Sequence, residues 1–131
     1  MKRSDYTILI VEDETTLSLP LSDTLRKEGC DVVVAKDGEA GLALALQGEA
    51  DLILLDLNLP KMDGLTLLRQ LRAANAWGKA VPVIILTNLT SHDEKRMIDV
   101  TELEPTYYLE KVDWQIGDVV EKVKEILRIA K

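Results

Sequence analysis

Residues 51–64 read Asp51-Leu52-Ile53-Leu54-Leu55-Asp56-Leu57-Asn58-Leu59-Pro60-Lys61-Met62-Asp63-Gly64. An aliphatic run closes on a carboxylate and gives way to turn-forming residues. The run is continuous rather than alternating, as expected of a strand covered on both faces in a parallel sheet. Ile8-Leu9-Ile10-Val11 and Val83-Ile84-Ile85-Leu86 have the same character, and shorter apolar runs lie at 31–35 and 107–109. These predict five strands.

Helical periodicity fills the intervals. Leu17, Leu21 and Leu25 mark a first helix with Glu28-Gly29 as its stop. Ala40, Leu42, Ala43, Ala45 and Leu46 mark a second, opened by Asp37-Gly38, and Leu65, Leu67, Leu68 and Leu71 a third. Residues 91–100 predict a polar fourth helix with apolar positions at Met97, Ile98 and Val100, ended before Pro105. Ile116, Val119, Val120, Val123, Ile126 and Leu127 recur at helical spacing after an expected N-cap at Asp113. Pro20 falls inside the first helix and removes the hydrogen bond to Thr16, which predicts a kink or a late start. Strand and helix alternate throughout. Right-handed crossovers therefore predict an α/β fold, a doubly wound five-stranded parallel sheet with helices on both faces. No linker or compositional break interrupts the 131 residues, so one domain over 1–131 is expected, with its core at about 6–129.

Composition narrows the function. The chain is 47% apolar and 30% charged, which is the profile of a folded protein, and without Phe its core must be aliphatic. A net charge of -7 disfavours direct binding to nucleic acid or to an anionic membrane surface. Cys30 is the sole cysteine, which excludes an internal disulfide and a thiolate metal site and suits a reducing compartment. No apolar run is long enough for a signal-peptide core or a membrane span, so a cytoplasmic location is expected.

In a doubly wound sheet the ligand site lies beyond the carboxyl ends of the strands, where strand order reverses. The runs end in Glu12-Asp13, Asp56, Thr87 and Glu110-Lys111. Any one such acid most often caps the next helix, a strand-end Thr is commonly a β-former, and a lone Lys is usually a solvated charge. Their coincidence at one edge points elsewhere. Carboxylates gathered there need a hard cation such as Mg²⁺, and a hydroxyl and an ammonium beside them suit the oxygens of a phosphoryl group.

Residues 8–14, 51–64 and 82–87, with Tyr108 and Lys111, together resemble the receiver domains of two-component response regulators. The resemblance extends over essentially the whole chain. It implies a flavodoxin-like (βα)5 fold and a phosphorylation switch. Asp56 would take a phosphoryl group from a phosphohistidine on a sensor histidine kinase or phosphotransfer protein. Asp13 would ligate Mg²⁺ directly, Glu12 would hold the metal's water, and the backbone carbonyl of Asn58 would be a further ligand. Thr87 and Lys111 would bind the phosphoryl oxygens, with Tyr108 turning inward as Thr87 moves. Pro60 and Gly64 match the loop after the acceptor, where Gly would permit a turn unfavourable for other residues. Catalysis would be confined to self-catalysed phosphoryl transfer and dephosphorylation, with output to an unidentified protein target.

Three positions depart from the pattern. Val112 follows Lys111 where the family usually has proline in a cis bond, so a trans bond and an altered loop are expected. Residues 98–106 lack the usual Gly-Ala-Asp turn, and Asn88 replaces a small residue after Thr87, which predicts a changed phosphoryl lifetime. His92 reads as an exposed residue near a helix start, Trp77 and Trp114 as core-edge or surface packing rather than a cofactor box, and Tyr107 as lying on the face opposite Tyr108. A receiver-like interaction module without phosphate turnover is the competing reading, favoured by Val112. A nucleotide or flavin binder lacks both a Walker A and a G-x-G-x-x-G signature. The last residues, Arg128-Ile129-Ala130-Lys131, show no linker, from which a free-standing domain is expected.

Overall fold

A computed structural model describes residues 6–87, 107–110 and 115–128; for Thr87 and 107–110 the description covers the backbone. In chain order the elements are β1 (Thr7–Val11), α1 (Thr15–Lys27), β2 (Asp31–Ala35), α2 (Gly38–Leu46) and β3 (Leu52–Asp56). They continue with α3 (Gly64–Ala74), a short α4 (Ala76–Ala80), β4 (Val83–Thr87), β5 (Tyr107–Glu110) and α5 (Ile116–Leu127). The strands form one sheet in the order β2-β1-β3-β4-β5, and every pairing is parallel. Strand order reverses between β1 and β3.

The period-two alternation of the central strands divides the aliphatic residues between two cores. Leu9, Val11, Ile53, Leu55, Val83 and Ile85 face one, which α2 and α3 cover with Leu42, Ala45, Leu67, Leu68 and Leu71. Ile8, Ile10, Leu52, Leu54, Ile84 and Leu86 face the other, closed by Leu21 and Leu25 of α1 and Val119, Val120 and Val123 of α5. The edge strand β2 is different, with Asp31 and Val33 exposed and Ala35 buried.

Local signals explain most helix boundaries. At the end of α1, Gly29 takes φ 93°, its N–H donates to the Arg26 carbonyl at 3.0 Å, and the Cys30 N–H donates to the Leu25 carbonyl at 3.1 Å. This is a Schellman stop, and Leu25 and Cys30 share the same core beneath it. Asp37 caps α2 through Ala40 and Asp63 caps α3 through Thr66.

The structure also amends several expectations. Helix α1 does not start late: it runs from Thr15 through Pro20 to Lys27. Thr16, whose carbonyl loses the Pro20 N–H, is exposed, so water can satisfy it. The buried face of α2 is Gly38, Gly41, Leu42 and Ala45, while Ala40, Ala43 and Leu46 are exposed. Glycine sets that face, because a Cβ on Gly41 would lie 2.6 Å from a methyl of Val11. The N-cap of α5 is Gln115 rather than Asp113, and the Asp118 carboxylate accepts the Gln115 backbone N–H at 2.7 Å. Helix α4 was not anticipated; Asn75 caps it through Gly78, and Arg72 donates to the carbonyls of Gly78 and Val81 behind it. Trp77 sits at the core edge, half-buried against the α2–α3 side. The expected helix at 91–100, the 98–106 connection, Asn88, His92, Trp114 and the Lys111-Val112 bond lie outside the described residues.

Candidate functional site

Sheet register assembles the site. Val11 pairs with Leu55, so Glu12 and Asp56 leave their strands at the same level, at the point where strand order reverses. Asp56 ends β3, a strand buried at every residue. Carboxylate oxygens of Glu12, Asp13 and Asp56 lie within 4.8 Å of one another. Glu12 is 1% and Asp56 2% exposed, whereas Asp13 is exposed and opens the cluster to solvent. The Asn58 N–H donates to Asp56 Oδ1 at 3.1 Å, fixing the carboxylate against the following loop. The Glu14 N–H makes a longer contact of 3.4 Å to Glu12 Oε2.

The donor set suits a hard divalent cation. It is all oxygen, doubly buried and open on one side, and its oxygens, all within 4.8 Å of one another, lie on the scale of the ~4.2 Å between opposite ligands of an octahedral ion with ~2.1 Å bonds. Burying two neighbouring carboxylates is otherwise costly, because each has lost water and repels the other.

Asp56 pairs with Leu86 of β4, and Thr87 one step further pairs with Glu110 of β5. The Thr87 backbone thus lies at the same sheet edge as the carboxylates. Tyr108 pairs with Ile85, two positions before Thr87, and Tyr107 pairs with Ile84. Lys111 lies outside the described residues. The structure therefore brings Glu12, Asp13, Asp56 and Asn58 together and sets the Thr87 backbone beside them.

The role of Gly64 differs from expectation. Its backbone is not left-handed; a Cβ there would collide with the Asp56 carbonyl oxygen and lie 2.7 Å from Leu57 Cα. The residue is small so that α3 can start directly against the end of β3, where the Gly64 N–H donates to the Leu57 carbonyl at 2.9 Å. The left-handed residue of this loop is Lys61, with φ 68°. Sequence reading missed Lys61, since Lys carries no preference for that conformation.

Comparison with known proteins agrees with this fold. The family model described as response regulator receiver domain matches residues 8–124. The sensory transduction protein RegX3 of Mycobacterium tuberculosis is 39% identical over 121 residues, covering 92% of this chain and 50% of RegX3. The chain thus spans about half the length of that relative. A putative response regulator from Chloroflexus aurantiacus superposes with TM-score 0.79 at 31% identity, over 97% of this chain and 99% of that one. The receiver domain of the sensor histidine kinase PA1611 of Pseudomonas aeruginosa, solved with a magnesium ion coordinated in its active-site cleft, gives TM-score 0.79 at 27% identity. That match covers 92% of this chain and 95% of the other.

Proposed function

Because the chain belongs to the response regulator receiver domain family, we propose that it is a phosphorylation-dependent signalling switch whose acceptor is Asp56. The observation that carries this reading is the convergence of Glu12, Asp13 and Asp56 at the strand-order reversal. An Asp56 carboxylate oxygen attacks the phosphorus of a phosphohistidine on a sensor histidine kinase or phosphotransfer protein. The O–P bond forms as the P–N bond breaks, and imidazole leaves. Hydrolysis of the resulting acyl phosphate by water returns the aspartate and phosphate.

Asp13 and the Asn58 carbonyl would hold Mg²⁺ together with Asp56, and Glu12 would hold it through water. Bound there, the ion supplies positive charge that offsets the phosphoryl oxygens. The Asn58 N–H keeps the acceptor carboxylate in place before transfer. Thr87 would donate its hydroxyl to a phosphoryl oxygen, and the Lys111 ammonium would pair with another. Movement of Thr87 frees space for Tyr108 to turn inward, shifting a pre-existing equilibrium. Output passes to a protein target through the region of residues 91–100, β5 and α5, a placement resting on family analogy. We read residues 1–131 as one receiver domain that acts in the cytoplasm without itself contacting nucleic acid or membrane. Among the described residues no helix is long and apolar enough to cross a membrane.

The test is intact mass after incubation with phosphoramidate, with and without Mg²⁺, beside Asp56→Asn. A Mg²⁺-dependent phosphoryl adduct, absent from the variant, supports the switch. No adduct from folded wild-type protein, either with this donor or with a phosphorylated histidine kinase, favours instead an interaction module without phosphate turnover. Val112 after Lys111 is the feature that supports that second reading.

A further inference from the structure

The loop from Asp56 to Gly64 carries Asn58 and is fastened at two places. One is the Gly64 contact beside Asp56 described above. The other is the first turn of α2, which takes no part in the phosphoryl chemistry. The Gly38 N–H donates to the Pro60 carbonyl at 3.2 Å, and the Met62 N–H donates to that same carbonyl at 2.8 Å. The latter bond closes a three-residue turn around Lys61, the residue at φ 68°, a rare and strained γ-turn geometry that persists only when its surroundings hold it.

Gly38 is buried and provides the hold. A Cβ there would land on the Met62 carbonyl oxygen, 2.6 Å from the carbonyl carbon and 2.7 Å from the Met62 Cβ. No rotamer change relieves such a clash, because the obstructing atoms are mostly backbone; the loop itself must move. A weaker tie lies outside: Asp37 Oδ2 is 3.7 Å from Lys61 Nζ, whose side chain is 62% exposed. That ion pair contributes little.

We propose that Gly38 is a positioning residue for the cation site. By letting α2 seat directly on Met62, it sets the loop conformation that presents the Asn58 carbonyl beside Asp56. The inference rests on the reading of Asn58 as a ligand given above, and it adds α2 to the parts on which cation affinity depends. Groups that hydrogen-bond a metal ligand directly typically change metal affinity by 10- to 100-fold, and Gly38, which holds the loop two residues from Asn58, falls at the low end of that range.

The test measures Mn²⁺ affinity of the full chain by electron paramagnetic resonance of the free ion, together with urea unfolding in EDTA. The proteins are wild type, Gly38→Ala, Lys61→Gly and the double variant. Gly38→Ala is expected to weaken Mn²⁺ binding about tenfold. Lys61→Gly frees the loop backbone, so the double variant keeps its fold even if Gly38→Ala alone does not. The double variant should regain stability in EDTA, yet still bind Mn²⁺ about tenfold more weakly than Lys61→Gly alone. Affinities unchanged by Gly38→Ala in either background overturn the inference, whatever happens to stability. A wild-type protein that takes up no Mn²⁺ overturns the reading of the carboxylate site itself, and this inference with it.

Discussion

Replacing Asp56 with Asn should stabilise the protein in the absence of divalent cations. The amide oxygen can still accept the Asn58 N–H, and the substitution removes one negative charge without changing shape. Two unit charges no more than 4.8 Å apart at an effective dielectric near 20 repel by about 3.5 kcal/mol at the least. Glu12 and Asp56 are the buried pair to which that figure applies; exposed Asp13 is screened by water. Allowing side chains to relax halves the term, so Asp56→Asn should gain about 2 kcal/mol in EDTA. For a domain of this size that is a rise in Tm of roughly 8 °C. Mg²⁺ should reverse the ranking of responses: at 100 times its Kd it adds about 2.7 kcal/mol to wild type and far less to the variant. Urea unfolding and calorimetry in EDTA and in MgCl2 measure both. An Asp56→Asn protein no more stable than wild type in EDTA would refute the reasoning, because the carboxylate repulsion must then already be offset by neighbouring groups.

Gly64→Ala should cost about 3 kcal/mol, since its Cβ meets backbone at Asp56 and Leu57; an unchanged urea midpoint would contradict that close approach. Lys124 is 7% exposed, and its Nζ lies 3.3 Å from Glu28 Oε2, whose side chain is 37% exposed. Glu28→Gln, which leaves the ammonium without a counter-charge, should therefore destabilise by about 1–2 kcal/mol, and Lys124→Met by less; the opposite ranking by denaturant titration would argue against this. Burial, and then the charges of Glu28, Asp31 and Asp51, push the Cys30 thiol above its ordinary pKa. A group raised on folding contributes fully below its unfolded pKa and loses that contribution as pH rises through the folded one. Wild type should thus lose stability above pH ~9 more steeply than Cys30→Ala, and parallel pH profiles would exclude the effect.

The aliphatic runs 8–11, 52–55 and 83–86 told most of the fold, because residues buried on both faces leave no doubt about a covered parallel strand. The carboxylate cluster was equally legible, since strands of the same sense must release their last residues at one edge. Helix faces were harder. In α2 nearly every residue is Gly, Ala or Leu, so apolarity distinguishes no side, and the close approach of Val11 to Gly41 decides it. Helix α4 escaped because Ala76–Ala80 is too short for periodicity; Asn75 as a cap was its only signal. Gly64 was read as a conformational need and is a steric one, while the positive φ belongs to Lys61. Contacts between segments far apart in sequence, such as Gly38 with Pro60, have no local signature at all.

The two-sided burial of the central strands has a consequence for folding specificity. Where one face of a sheet meets water, a one-residue slip exposes apolar side chains and is rejected at once. In β1, β3 and β4 both neighbouring rows are aliphatic, so oiliness alone does not choose between registers. The choice falls to polar groups at the strand ends: the Thr7 N–H on Asp51 Oδ2 at 2.8 Å, the Asp31 N–H on the Tyr6 carbonyl and the Glu12 N–H on the Ala35 carbonyl, each at 2.9 Å. A β3 slipped inward would draw Asp56 into the hydrophobic interior, and one slipped outward would place Leu55 in the carboxylate cluster. The carboxylates at the ends of the strands, Asp51 before β3 and Asp56 at its close, therefore also help the chain to align itself.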